Sequence, residues 1–195
     1  MPRLLDLFCG RWGWSRAFAA RGWECVGVDL VEPSEIPERC EFVKDNILHI
    51  DTDWIRYVKP DFVVASSPCE EFSVHGMKHF HPNPKYPKMG MTLFNHTSSI
   101  CQLTCVPYVM ENVRAAQRFV GRAVSHCGPF YLWGNAVPPL LVQGITKGSM
   151  IWSPRYRNMK KSQRKAEVAT IPPELANCVA DYAERLLEVG AACPR

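Results

Sequence analysis

Several things are scarce in this sequence, and each scarcity excludes a class of protein. No apolar run approaches the roughly 20 residues of a membrane span, and the opening Met1-Pro2-Arg3-Leu4-Leu5-Asp6 meets an acid too early for a secretory leader. No two of the nine cysteines form a C-x-x-C pair. Their odd number and scatter argue against a disulfide framework or a zinc knuckle, leaving mostly buried, small, apolar thiols with at most one or two chemically special. Internal repeats are absent, and 47% hydrophobic against 22% charged residues excludes a disordered chain. These exclusions predict one compact, cytoplasmic domain, since 195 residues suffice to bury a core.

Acid is scarce only locally. Residues 1–75 hold 8 Lys and Arg against 13 Asp and Glu, whereas residues 76–195 hold 15 against 6. Between Lys78 and Lys165, Glu111 is the sole acid. Such asymmetry suits a small-ligand half joined to a face that meets a polyanion, although a solvated basic loop region has the same composition.

What is present is a series of short apolar runs: Leu4 to Phe8, Glu24 to Asp29, Glu41 to Asp45, Asp61 to Ser67 and Val106 to Glu111. Helix-length or loop segments separate them, which predicts an α/β fold, a largely parallel sheet with helices on both faces. Ligands of such sheets bind beyond the carboxyl ends of the strands, so Gly10, Asp29, Asp45, Pro68-Cys69 and Glu111 are expected in one crevice. Phe72 to Met91 has loop chemistry, Thr92 to Cys105 can form a helix, and signals weaken beyond Arg114. Ser153 to Lys165 is basic and polar. After Pro172-Pro173, a helix is expected over Glu174 to Leu187, with Leu175, Val179, Tyr182 and Leu186 at helical spacing.

Phe8-Cys9-Gly10-Arg11-Trp12-Gly13 is a strand-to-helix turn that is not G-x-G-x-x-G, and alone it would pass for a plain βα turn. Asp29 at the end of the next strand strengthens it, because an acid there holds ribose hydroxyls in dinucleotide and S-adenosylmethionine folds. Cys69 follows a fully apolar strand, and on its own it reads as a structural thiol. Glu111 at the end of a later strand changes that reading. A thiol beside a carboxylate suits attack on a ring carbon with proton handling at a neighbouring nitrogen.

Taken together, Asp6-Leu7-Phe8-Cys9-Gly10-Arg11-Trp12-Gly13, Pro68-Cys69 and Glu111-Asn112-Val113 resemble the DNA (cytosine-5) methyltransferases, in order and separation. The resemblance spans residues 3–114 and implies a Rossmann-like S-adenosylmethionine-dependent methyltransferase sheet. It places the cofactor, and its product S-adenosylhomocysteine, against Phe8, Gly10, Arg11, Trp12, Gly13, Leu30, Asn46 and Pro68, with Asp29 on the ribose and Asp45 near the adenine amino group. Cys69 would attack C6 of cytosine, and Glu111 would hydrogen-bond N3 and the exocyclic amine. Arg155 and Arg157 have the spacing of the pair that holds the base's O2. The partner implied is DNA with its target cytosine flipped out or single-stranded, in a bacterial or phage-infected bacterial cell. Lys78, His79, Phe80, His81, Lys85 and Lys88 fall where the family has a loop that closes over the base. His75, His79 and His81 lack a cysteine pattern that would complete a metal site, so none is expected.

The sequence also departs from the pattern. Arg11-Trp12-Gly13-Trp14 replaces glycines with bulk, leaving open altered cofactor affinity or an unusual sulfonium donor. Glu70-Glu71 follows the cysteine where a glutamine is usual, and that negative charge would raise the thiol's pKa unless a cation offsets it. Gly134-Asn135-Ala136-Val137 is similar to a late family element, yet a terminal helix comes only after Pro172. Only 84 of the 195 residues follow Glu111, whereas family members insert a target-recognition domain there. The expected division is a single catalytic domain over 1–195: cofactor and catalytic core at 1–114, a reduced basic substrate-facing region at 115–170 and a terminal helix at 171–190. Specificity is then weak, carried by 115–170, or supplied by a protein partner. A catalytically weak or silent methyltransferase-like protein, binding nucleic acid or activating a partner, is the alternative. A nicotinamide oxidoreductase explains Gly10 and Asp29 but leaves Cys69 and Glu111 without roles.

Overall fold

The computed structural model describes residues 1–73, 87–139 and 170–190. Five parallel strands form its centre: β1 (Arg3–Leu7), β2 (Glu24–Asp29), β3 (Cys40–Lys44), β4 (Phe62–Ser66) and β5 (Tyr108–Asn112). The central β1, β4 and β5 are buried along nearly all their length because both faces of a parallel sheet are covered. Two short strands, β6 (Ser125–Cys127) and β7 (Phe130–Trp133), form an antiparallel pair that adds to β5, giving the order β3-β2-β1-β4-β5-β7-β6. Strands of three and four residues carry too little periodicity to be legible in sequence; pairing with β5 makes them strands.

Chain direction across the sheet reverses at β1, which has β2 on one side and β4 on the other. The carboxyl ends of β1 and β4 therefore flank a switch point, the place where such sheets open a ligand crevice.

Helices cover both faces. α1 (Ser15–Ala19) and α5 (Pro173–Glu188) share one apolar cluster with Leu4, Val64 and Val109. α2 (Thr52–Val58), α3 (Lys88–Thr104) and α4 (Gln117–Val120) lie on the other face, where Ile55, Phe94 and Ile100 pack on Leu5, Val63 and Met110. The buried stripe of α5 is Leu175, Ala176, Val179, Ala180 and Ala183, whereas Tyr182 and Leu186 are half-buried. The small alanines let α5 approach α1 closely, and Arg21 locks the pair by donating to Asn177 at 2.7 Å and Asp181 at 2.6 Å. α3 begins at Lys88, four residues before the start expected at Thr92. Met89-Gly90-Met91 reads as loop in sequence, but a first-turn glycine costs little when its amide finds an acceptor, and here the acceptor is Glu71.

Gly134 and Asn135 sit at the amino end of β5, opposite the crevice. Asn135 accepts the Tyr108 amide at 2.8 Å, and a Cβ at Gly134, whose φ is 129°, would collide with the Tyr108 carbonyl oxygen. This element anchors a strand. It is Thr170 and Ile171, just before α5, that reach the turn after β1, where a Cβ on Gly13 would meet the Ile171 backbone nitrogen at 3.0 Å.

Candidate functional site

The crevice begins with the turn after β1. Phe8, Gly10 and Trp12 have φ of 63°, 48° and 62°, so the chain coils tightly between β1 and α1. Asp29 at the end of β2 fastens this coil, accepting from the Gly10 amide at 3.0 Å and the Val31 amide at 3.2 Å. Next to it, the Asp45 amide donates to the Asp29 carbonyl at 3.2 Å, which aligns the end of β3. The Asp45 carboxylate accepts from the Asn46 amide at 2.6 Å and pairs with His49 at 2.9 Å, and the His49 hydrogen bond holds it below the usual carboxylate range. Asn46 caps the following 3-10 turn through the Leu48 amide. Leu30 and Val31 stand 61% and 73% exposed beside these acids. A cleft of about 750 Å³ opens here between Gly10, Arg11, Asp29, Glu32, Glu35 and Thr170.

The bulk introduced at Trp12 is turned toward the sheet. Its indole is fully buried over Gly27, where any Cβ would overlap the ring, and it meets Phe42 edge-on at 6.3 Å. Its Nε1 donates to the Glu35 carbonyl at 3.0 Å. No described helix covers this part of the sheet between β2 and β3, so Trp12 does the covering and holds the connecting loop. Gly27 is thus the complement of Trp12, a pairing invisible while the two are read as separate positions.

Asp6 supports the same turn from below. It is a fully buried acid in an apolar strand, taking hydrogen bonds from the Ser15 hydroxyl at 2.6 Å and the Ser15 amide, while Oδ1 has no partner. α1 has no cap from its own sequence, so Asp6 is its remote cap. Burial pushes the Asp6 carboxyl up to about 7, against the smaller downward pull of Ser15. A raised carboxyl binds its proton more tightly when folded; its stability contribution is full below 3.8 and is lost as pH rises toward about 7. Asp6→Asn is therefore expected to gain on the native protein between pH 5 and 8, its melting temperature rising relative to wild type by roughly 3 to 8 °C across that window. A pH-independent difference in calorimetry would show that Asp6 titrates normally.

The second half of the crevice is built on β4 and β5. These strands are adjacent and parallel, with Ser66 opposite Glu111. Asn112 donates to both the Ser67 carbonyl and hydroxyl at 3.0 Å, and so fixes the chain two residues before Cys69. Trp14 Nε1 donates to Ser66 Oγ at 2.9 Å, tying the turn after β1 to the end of β4. Pro68 is exposed, Cys69 is half-buried, and Glu111 is only 7% exposed on its strand. The structure thus brings Phe8 to Gly13, Asp29, Leu30, Asp45, Asn46, Pro68, Cys69 and Glu111 to one edge of one sheet.

A model of the C-5 cytosine-specific DNA methylases matches residues 2–126. The chain belongs to this family. S-adenosylmethionine is the methyl donor of C-5 cytosine methylases, and the described strands have the α/β order on which the family's motifs sit at one edge. Among solved structures, the chain is similar to a mutant of Spodoptera frugiperda DNMT2, with 22% identity, a TM-score of 0.41, and 60% of this chain and 37% of that one covered. It is also similar to a protein named as a DNA modification methyltransferase, encoded within an Escherichia coli prophage. There the identity is 14% and the TM-score 0.48, with 78% of this chain and 55% of that one covered. The chain thus spans less than two thirds of either protein. No curated protein matches it.

Of the residues expected at the site from sequence, Lys78, His79, Phe80, His81, Lys85, His75, Arg155 and Arg157 lie outside the described residues. Sequence reasoning passed over Asp6, Trp14, Ser66 and Ser67, the groups that hold the turn and the strand ends in place. Asp6 carried a signal, an ionisable side chain in the middle of an apolar run. Trp14 and Ser66 carried none, being 52 residues apart. Cys9, Cys101 and Cys127 behave as apolar groups: burial raises their pKa values, with Cys101 at about 12. No described helix is long and apolar enough to cross a membrane, and no metal cluster occurs among the described residues.

Proposed function

We propose that this protein transfers a methyl group from S-adenosylmethionine to C5 of cytosine in DNA through a covalent bond between Cys69 and C6. The observation that carries the reading is the junction of β4 and β5: the Pro68-Cys69 turn and Glu111 emerge side by side, fastened by Asn112 on Ser67.

The chemistry of the edge fits the cofactor. Each Asp29 oxygen accepts one backbone amide and has a lone pair left for a ribose hydroxyl. Leu30 offers an exposed apolar surface for a purine, with Asp45 and Asn46 at its side. Gly10 lets the chain pass close, and Arg11 is a cation suited to a carboxylate. Phe8, Gly13, Pro68 and the backbone of Trp12, whose indole is buried against the sheet, complete the frame. When bound, S-adenosylmethionine supplies an electrophilic methyl group.

The protein's own residues do the rest. Cys69 adds as thiolate to C6, forming the S–C bond while the C5–C6 π electrons shift into the ring. Glu111 accepts from the exocyclic amine and hands a proton to N3, neutralising that charge in a nearly dry setting, and takes the proton back as C5 is alkylated. C5, now nucleophilic, takes the methyl group. A base then removes the C5 proton, and the released electron pair restores the double bond and expels Cys69. C6 is out of reach in a stacked duplex, so the cytosine must be extruded or single-stranded.

A run of exposed arginines supports DNA as the partner. Arg114, Arg118 and Arg122 follow Glu111 at intervals of four, all exposed, in a stretch with no acid from Val113 to Pro139. We assign residues 1–114 to cofactor and catalysis, 115–170 to the substrate-facing region with Arg155 and Arg157 on the base, and 171–190 to the terminal helix. A protein partner can supply specificity that 115–170 does not.

Nucleoside mass spectrometry after incubating the protein with S-adenosylmethionine and cytosine-containing DNA tests the reading. We expect 5-methylcytosine. Cofactor binding by calorimetry without any modified nucleoside would overturn catalysis in favour of a silent, nucleic-acid-binding or partner-activating protein.

A further inference from the structure

We propose that Glu71 is a positioning residue that references the Cys69 turn to the amino end of α3. This rests on the reading of Cys69 as the nucleophile. α3 starts after Pro87 with no side-chain cap of its own and no acid in its first turn. One of its unpaired first-turn amides is instead met from across the fold, where Glu71 Oε2 accepts the Gly90 amide at 2.8 Å. The neighbouring Phe72 is fully buried, with its ring 3.0 Å from where a Gly90 Cβ would be, and it packs on Phe119 at 6.0 Å. Any residue but proline would offer this amide; it is the missing side chain that fits Gly90 against the Phe72 ring.

The clamp reaches Cys69 through the backbone. The Cys69 carbonyl accepts the Phe72 amide at 3.1 Å and the Ser73 amide at 3.0 Å, so residues 69–73 form one turn. Upstream, Asn112 holds Ser67. The thiol sits between two anchors, one on a central strand and one on a helix of 17 residues. A carboxylate spent on a helix amino terminus is also one that does not point at the sulfur. Of the two glutamates after the cysteine, Glu71 is thus turned toward the positive end of α3.

Without the clamp the turn keeps its sequence and loses its reference, and a misplacement of about 1 Å costs up to about 10²-fold in rate. Two measurements on Glu71→Ala and Glu71→Gln test this. Hydrogen exchange is expected to quicken at the Phe72, Ser73 and Gly90 amides in Glu71→Ala, with α5 unchanged. Covalent capture on 5-fluorocytosine DNA is expected to slow by about 10- to 100-fold, with the KM for DNA within about twofold. Glu71→Gln, which keeps an acceptor oxygen, should recover most of the rate. Unchanged exchange in Glu71→Ala removes the clamp, whatever the chemistry. Capture at the wild-type rate, or Glu71→Gln as slow as Glu71→Ala, removes its role in positioning Cys69. No capture by the wild-type protein brings down the nucleophile reading itself, and the positioning role with it.

Discussion

Cys69→Ser should lose methyl transfer by at least about 10³-fold while binding S-adenosylmethionine within about twofold of wild type. The asymmetry follows from position. Cys69 lies beyond the end of β4, while Asp29, Leu30 and Asp45, the residues assigned to the adenosine, stand at the ends of β2 and β3. A serine hydroxyl is scarcely ionised at neutral pH and lacks sulfur's polarisability, so addition to C6 fails at its first bond. With 5-fluorocytosine DNA the wild-type protein should form an adduct that survives denaturation, because fluorine at C5 cannot leave as a proton. The mutant should form none. Turnover of Cys69→Ser within tenfold of wild type, read by nucleoside mass spectrometry, would sink the covalent route.

Glu111→Gln should lower kcat and kcat/KM together by about 10²- to 10³-fold and leave the KM for DNA nearly unchanged. Glu111 is 7% exposed on a strand held between β4 and β7, so a proton-transferring group placed there works in a low-dielectric setting. The amide keeps the shape of the carboxyl but cannot pass a proton to N3. Because the replacement is isosteric, the melting temperature should move by no more than about 2 °C. A variant that retains half the wild-type rate would mean that ring charge is stabilised by another group.

Both effects depend on neighbours that the linear sequence separates. Cys69 and Glu111 are 42 positions apart, and only the parallel pairing of Ser66 with Glu111 makes them partners. The same is true of the devices that stiffen the site. Asp6 caps α1, Glu71 caps α3, and Asn112 fixes Ser67, each a polar side chain satisfying backbone groups far along the chain. Local cap signals were read at neither helix because neither helix has one. The first turn of α3 therefore passed for loop, and its beginning was expected four residues late.

Trp12 shows how a departure from a motif can mislead. Bulk in a glycine-rich turn points, in sequence, to a crowded cofactor site. In the structure the indole leaves by the other side, into space that Gly27 keeps open, and forms part of the sheet's cover. The glycine that matters was one strand away.

By itself the sequence determined the five central strands, the edge at which their functional residues gather, and the family to which the motifs belong. Apolar runs bounded by turn residues and short motifs in fixed order are local properties, legible without folding. Tertiary structure decided which side chains meet. It placed β6 and β7, turned Trp12 into the core, assigned Gly134-Asn135 to the far end of β5, and gave the crevice its remote caps. The reason is physical: an orphan amide or an uncovered strand is satisfied by whatever group packing brings within about 3 Å, and nothing in a residue's neighbours along the chain says which group that is.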